Sequence, residues 1–214
     1  MCNAETETDS PGDEAMAGIF FAVVGASGVG KDSILEGARA RLEIEGSFYF
    51  PTRLITRPAD MGGEDHHSIS NADFVQAVRD DKFSLWWSAH ELHYALPDDV
   101  YDKLRQNIHV VANISRRMVE ETIVRFNRVE VIEITASREI IRDRLMARGR
   151  ESEAEIMVRQ LREISPGWAA NAHVTQIKNE GTLDEAVESF VDAVVRLSTH
   201  AVQHVRKEAP LGGP

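Results

Sequence analysis

The chain has 214 residues, of which 43% are hydrophobic, and its 24 Lys and Arg against 35 Asp and Glu give a formal net charge of -11. This composition supports one substantial core, excludes a wholly disordered chain and disfavours a broad nucleic-acid groove. The single cysteine, Cys2, excludes an intrachain disulfide. No apolar run reaches the roughly 18 residues that span a bilayer, and no leader pattern is present, so we expect a soluble, cytoplasmic protein without a membrane partner.

Residues 18–197 are predicted to form one domain between two flexible tails, 1–17 and 198–214. Within it, short apolar runs alternate with amphipathic helices. Strands are predicted at 19–24, 109–113, 129–134 and 174–177, and helices at 31–42, 115–126, 137–148 and 182–197. Ser152 with Glu155, and Thr182 with Glu185, match capping boxes at helix starts. The alternation predicts an α/β fold with a parallel sheet and helices on both faces.

Residues 56–100 interrupt this alternation with many turn residues. We interpret them as an inserted substrate-binding subdomain, which extends over about 53–100 when the preceding arginine-bearing segment is included.

A glycine-rich loop follows the first predicted strand and opens the first helix. Its sequence is Gly25-Ala26-Ser27-Gly28-Val29-Gly30-Lys31-Asp32-Ser33. In a P-loop, backbone N–H groups and the helix N-terminus hold the nucleotide phosphates, and the lysine contacts the β- and γ-phosphates. The usual Ser or Thr after the lysine is replaced by Asp32, whose carboxylate is also a hard oxygen ligand for Mg²⁺. Strand, lysine and helix together argue against a coincidental glycine-rich turn and predict an ATP site, with Asp32 binding Mg²⁺ directly or through water.

Over roughly residues 18–197 the chain resembles the guanylate-kinase-like branch of the nucleoside monophosphate kinases. The matching segments are Thr56-Arg57-Pro58, Gly63-Glu64, Phe83–Trp87 with Tyr94, Arg148-Gly149-Arg150 with Arg159, and Asn179. The resemblance implies a P-loop NTPase fold with an acceptor-binding insertion and a lid at about 146–160. It also implies that Tyr94 contacts the acceptor and that Asn179 contacts the nucleotide.

Within that branch, the chain is most similar to the ribose 1,5-bisphosphate phosphokinases. The shared motifs are Gly-Lys-Asp-Ser at 30–33, Ile-Thr-Arg at 55–57, Gly-Glu-Asp-His at 63–66, Trp-Ser-Ala-His at 87–90 and Arg-Gly-Arg-Glu at 148–151. The resemblance implies transfer of the γ-phosphoryl group of ATP to the 1-phosphate of α-D-ribose 1,5-bisphosphate, giving 5-phosphoribosyl 1-diphosphate, in phosphonate breakdown. Ala95, where glycine is usual, and Glu91 in the preceding turn depart from the pattern.

Three positions that read guanine in guanylate kinases are changed. Leu85 stands in place of one carboxylate, 112–114 (Ala-Asn-Ile) in place of a second, and Arg53 in place of a serine. Each base donor left unpaired costs roughly 1–3 kcal/mol, so these changes argue against guanine. A guanidinium instead suits a second phosphate. We therefore expect Arg57 and Tyr94 at the reacting 1-phosphate and Arg53 at the 5-phosphate of a small phosphorylated sugar.

The acceptor phosphate is already ionised near pH 7, so the reaction requires no general base. Catalysis then depends on holding two anions in line and on neutralising charge, through Lys31, Mg²⁺ and the lid residues Arg148 and Arg150. We expect Glu64 to contact the acceptor or Mg²⁺, and Arg159 to reach the acceptor from the helix after the lid.

Several alternatives stay open at this stage. Arg150 and Arg159 also fit a solvated helical face, and Glu64 a surface turn. Four histidines of the insertion have no cysteine partner and no clear helical register, which argues against a transition-metal site; they are His66, His67, His90 and His93. The sequence leaves undecided whether any of them contacts the substrate. The alternative functions are a nucleoside monophosphate kinase of altered base preference, a non-catalytic binding module and a nucleotide switch. The sequence does not indicate the oligomeric state.

Overall fold

The computed structural model describes residues 18–58, 65–89, 91–149 and 173–208, with the backbone alone at 45, 148 and 200–208. The elements in chain order are β1 (Phe20–Gly25), α1 (Lys31–Leu42), β2 (Phe48–Tyr49), β3 (Leu54–Ile55), β4 (His67–Ser68), α2 (Asn71–Arg79), β5 (Phe83–Ala89), β6 (Leu92–Pro97), α3 (Asp99–Arg105), β7 (His109–Asn113), α4 (Val119–Arg125), β8 (Val129–Thr135), α5 (Arg138–Arg148), β9 (Val174–Lys178) and α6 (Leu183–Glu208). Short 3₁₀ turns at Glu43–Glu45 and Arg116–Met118 follow α1 and precede α4. The predicted α/β architecture is confirmed.

The larger sheet is parallel and has the strand order β2-β7-β1-β8-β9. Its central strand, β1, is buried on both faces, as its continuous apolar run predicts. The chain leaves β1 first towards β2 and β7 and later returns on the other side as β8. In open parallel sheets, ligands bind outside the carboxyl ends of the strands at such a reversal. The glycine-rich loop that follows β1 lies at this position.

Side chains alternate between the two faces of β1 and so divide the core into two layers. Phe21 and Val23 pack with α1, α5 and α6 on one face. Phe20 and Val24 pack with α3, α4 and the β5–β6 hairpin on the other. The predicted coverage of the sheet by helices on both faces is therefore confirmed, and the second layer also attaches the insertion to the nucleotide-binding sheet.

The insertion folds around a smaller sheet with the order β4-β3-β6-β5. β5 and β6 form an antiparallel hairpin, and β6 also pairs with β3, which brings Ile55 opposite Tyr94. Glu91, in the hairpin turn, has a φ of 62°, a left-handed conformation in which a side chain is strained. Helix α2 packs on this sheet through the buried Phe74.

The main difference from the sequence prediction is at the last helix. We expected the helix to end at Leu197 and a flexible tail to begin at residue 198, but α6 continues to Glu208. The predicted helix end was wrong because apolar residues continue at helical spacing through Ala201 and Val205. At the other end, the predicted capping box is confirmed, since the Thr182 N–H donates to the Glu185 carboxylate at 2.8 Å. Within the described ranges, no helix has the length and apolar character that crossing a bilayer requires.

Candidate active site

The glycine-rich loop connects the centre of the sheet to α1. Gly28 and Gly30 have φ values of 82° and 98°, a region that glycine enters without steric strain. The Lys31 ammonium donates to the carbonyl oxygens of Gly25 at 2.8 Å and Ala26 at 3.0 Å. The lysine is therefore held against the loop whose N–H groups surround phosphate in P-loop proteins.

A buried brace supports the loop from behind. The Asn179 side-chain amide donates to the Val29 carbonyl at 2.8 Å, and Arg144 donates to the same carbonyl at 3.1 Å and to the Asn179 carbonyl at 3.1 Å. A Cβ at Gly30 would collide with the Asn179 amide. Asn179, predicted to contact the nucleotide, is only 3% exposed and contacts the loop itself. Sequence reasoning missed Arg144, although its position four residues before Arg148 puts both on one helical face.

A polar cluster joins α1 to the insertion. Asp32 Oδ1 accepts a hydrogen bond from Asn113 Nδ2 at 2.8 Å and lies 3.7 Å from Arg53 Nη2. Arg53 Nη1 in turn donates to the Asn113 carbonyl at 3.2 Å. The three residues come from the first turn of α1, the carboxyl end of β7 and the segment before β3. This cluster therefore lies where the nucleotide loop meets the acceptor subdomain.

The Arg53 guanidinium is almost enclosed, with a side chain that is 12% exposed, and it lies 5.9 Å from the centre of the Tyr94 ring. Burial lowers the pKa of Arg53, and the charge of Arg57 acts in the same direction, while Asp32 and Tyr94 act to raise it. Because an arginine in a protein stays protonated near neutral pH, the site holds a buried cation. Such a cation is stabilised by any anion that reaches it.

The remaining predicted acceptor residues flank the same strand pair. Arg57 follows β3, close enough to Arg53 for their charges to repel. Tyr94 stacks on Trp87 with a centroid separation of 5.5 Å and an interplanar angle of 6°. The Thr56 hydroxyl accepts a hydrogen bond from the His93 N–H at 2.8 Å. The β3–β6 pairing therefore places Tyr94 beside the segment that carries Arg53 and Arg57, as their assignment to a common acceptor requires.

The positions where the sequence departs from its relatives have clear structural roles. Leu85 is fully buried in the core layer beneath the hairpin and does not face an open slot. Ala95, where glycine is usual, is also fully buried, and its side chain packs with Phe74 and Phe83. The two substitutions therefore add apolar packing on opposite faces of the smaller sheet.

The histidines have separate environments. His66 is buried and its Nε2 lies 3.1 Å from the Arg57 carbonyl, whereas His67 is exposed. His93 lies 2.7 Å from the Ser88 hydroxyl and stacks on Phe74. Four predicted positions lie outside the described residues: Glu64, His90, Arg150 and Arg159. Arg148 is in the last turn of α5. Most of the predicted lid at 146–160 also lies outside the described residues.

Asp32 meets the chemical requirements of a Mg²⁺ ligand. Its side chain is 51% exposed and directly follows the P-loop lysine. In the described part of the chain, no three His, Cys, Asp or Glu residues cluster as a ready-made metal site. Mg²⁺ commonly binds through one or two carboxylates together with water and nucleotide phosphates. The available donor therefore fits an ion that arrives with the nucleotide.

Comparison with known proteins gives relatives but no matching family model. The chain is 39% identical over 174 residues to ribose 1,5-bisphosphate phosphokinase PhnN of Brucella melitensis, a match that covers 81% of this chain and 90% of the relative. It is 40% identical over 178 residues to the bifunctional ribose 1,5-bisphosphokinase-thymidine phosphorylase of Cupriavidus pinatubonensis, but this match spans 83% of the chain and only 29% of that relative's length.

The solved structure of guanylate kinase from Anaplasma phagocytophilum matches with a TM-score of 0.60 and 14% identity, covering 86% of this chain and 88% of that one. At this identity the match supports the fold alone, that of a P-loop kinase. The sequence match to the Brucella protein extends over nearly that protein's whole length. The chain therefore belongs to the ribose 1,5-bisphosphate phosphokinase family.

Proposed function

We propose that this chain transfers the γ-phosphoryl group of ATP to the 1-phosphate of ribose 1,5-bisphosphate, giving 5-phosphoribosyl 1-diphosphate and ADP. Family membership supports the reaction, and one structural observation carries the choice of acceptor. A buried guanidinium, Arg53, lies on the acceptor side of the phosphate loop, with the charge of Arg57 nearby. Two neighbouring cations favour an acceptor with two phosphate groups over a neutral base.

The chemistry requires little beyond positioning. An oxygen of the 1-phosphate attacks the γ-phosphorus while the bond to the ADP oxygen breaks, so a diphosphate forms at C1. The attacking oxygen is already ionised and no proton has to be removed. The loop N–H groups and Lys31 would hold the donor phosphates, Arg57 and Tyr94 the 1-phosphate, and Arg53 the 5-phosphate.

Asp32 would hold Mg²⁺, which would supply positive charge to offset that of the donor phosphates. Arg148 and Arg150 remain our predicted neutralising groups on the lid, and Asn179 keeps its predicted place beside the nucleotide. We propose Glu64 and Arg159 as further acceptor contacts. Because ATP is the co-substrate and the acceptor is a small sugar phosphate, we also propose a cytoplasmic location without nucleic-acid or membrane partners.

The deciding experiment is product identification by phosphorus NMR. Wild-type protein with MgATP and ribose 1,5-bisphosphate should yield a C1 diphosphate and ADP in equal amounts. Parallel reactions with GMP and AMP test the nucleoside monophosphate alternative. Lys31→Met, which removes the ammonium, serves as the control and should lose transfer by at least about 10²-fold. Faster turnover of GMP than of the sugar would overturn the proposal.

A further inference from the structure

One carboxylate oxygen connects the nucleotide site with the acceptor site. Asp32 Oδ1 accepts from Asn113 at 2.8 Å and is also the atom nearest the Arg53 guanidinium, at 3.7 Å. Asp32 directly follows the loop lysine, whereas Arg53 leads into the acceptor sheet. The same negative charge is therefore close to both substrates.

Asp32 faces two competing demands. As a Mg²⁺ ligand it has to direct its oxygen towards the ion, and the ion neutralises its charge. The Asp32 carboxylate lies 3.7 Å from the Arg53 guanidinium, so a divalent cation held by Asp32 would also act on the charge of Arg53. The guanidinium is attracted while the carboxylate is unbound and is repelled once the ion is in place.

Burial makes this exchange energetically important. The Arg53 side chain is 12% exposed, and the charge of Arg57 opposes it further. A buried cation that loses an anionic neighbour is destabilised unless another anion takes its place. The phosphate of an arriving acceptor supplies such an anion.

We propose that Asp32 is a shared counter-ion that couples the two substrate sites. Without MgATP it neutralises Arg53 and weakens the attraction of the pocket for sugar phosphates. With MgATP it is engaged by the ion, and Arg53 interacts with the acceptor phosphate instead. This inference rests on the proposed function, and it implies that donor and acceptor bind cooperatively.

The coupling has a measurable size and is reciprocal. Couplings between sites typically change affinity by about 5–150-fold, and each ligand must change the affinity of the other by the same factor. We therefore expect Mg²⁺ with β,γ-methylene ATP, which cannot transfer its terminal phosphoryl group, to tighten ribose 1,5-bisphosphate binding by such a factor. Isothermal titration calorimetry of the acceptor, with and without this complex, measures the effect independently of turnover.

Two variants separate charge from folding. Asp32→Ser gives the hydroxyl usual in P-loops, and Asp32→Asn keeps the size of the side chain and an oxygen acceptor for Asn113. Both should bind the acceptor more tightly than wild type in the absence of nucleotide, and the analogue should then improve binding by less than about twofold. Glu36→Gln, one turn further along α1, is the matched control and should keep the wild-type coupling. Thermal melts establish that each variant is folded.

The outcomes are distinguishable. If both Asp32 variants keep the full gain in affinity, or if wild type binds the acceptor equally with and without the analogue, the coupling is absent and the inference is wrong. If no state of the protein binds ribose 1,5-bisphosphate, the proposed function fails and the inference fails with it.

Discussion

Replacing Arg144 by alanine removes one side of the brace behind the phosphate loop. Arg144 donates to the Val29 and Asn179 carbonyls, both at 3.1 Å, and these contacts join α5 to the loop and to the end of β9. The Val29 carbonyl keeps its 2.8 Å bond from the Asn179 amide in the variant. The loop should therefore remain formed but be held less rigidly, with its phosphate-binding N–H groups less well oriented.

The expected magnitude follows from these contacts. A hydrogen bond from a charged donor contributes about 1.5–3 kcal/mol, and the variant loses the two bonds at 3.1 Å and a longer one of 3.5 Å to Asn179 Oδ1. Arg144 is only partly buried, so water can replace some of the hydrogen bonds that are lost, and the Val29 carbonyl keeps its donor from Asn179. We therefore expect a total free-energy cost equal to that of a single charged hydrogen bond. A loss of about 1.5–3 kcal/mol corresponds to roughly 10–150-fold in affinity or in kcat/KM.

Two assays measure this effect. Calorimetry should show weaker MgATP binding to Arg144→Ala in the range above, and the nucleotide-free variant should melt at a lower temperature because the brace is present before nucleotide binds. Arg142→Ala on the same helix is the matched control, since the described hydrogen bonds of Arg142 go only to the neighbouring Asp143. An Arg144→Ala variant with wild-type melting temperature and ATP affinity would refute the assignment of Arg144 as a positioning residue.

Two further predictions concern buried polar groups. Burial and, secondarily, Arg128 lower the pKa of His109, whose Nδ1 accepts from the Ile19 N–H at 3.1 Å. Below about pH 6.5 the unfolded chain therefore takes up a proton that the folded protein resists, and stability should fall as pH drops from there to the folded pKa. His109→Gln should flatten this dependence in melts over that range; an unchanged slope would contradict it. Glu133→Leu removes the carboxylate that accepts from Arg116 at 3.3 Å and from Gln176 at 2.9 Å, and should cost about 3–5 kcal/mol in urea unfolding. Glu133→Gln, which removes the charge but keeps an oxygen acceptor, should cost less, and a loss below about 1 kcal/mol for Glu133→Leu would contradict the prediction.

The sequence predicts the local parts of the fold well because their causes are local. The apolar run of β1, the loop glycines and the Thr182 cap each act within a few neighbouring residues. The Asp32–Asn113 contact joins residues 81 positions apart, and the Asn179–Val29 contact residues 150 apart. No periodicity or motif specifies such pairs, because they depend on which strand ends become neighbours once the sheet has formed. The sequence therefore allowed Asp32 and Asn179 to be predicted as site residues, but it did not predict which residues they contact.

The acceptor site also shows why losing a base-reading acid and gaining an arginine belong together. Leu85 is fully buried in the core layer, so an acid there would be desolvated without a partner from a sugar substrate. Arg53 directly precedes β3 of the same small sheet and adds a cation where a neutral hydroxyl would serve a base. The first change removes an anion that would repel phosphate, and the second adds a charge that attracts it. In our proposal the Asp32 carboxylate limits this attraction until the donor nucleotide has bound, which makes its charge the most informative one to remove.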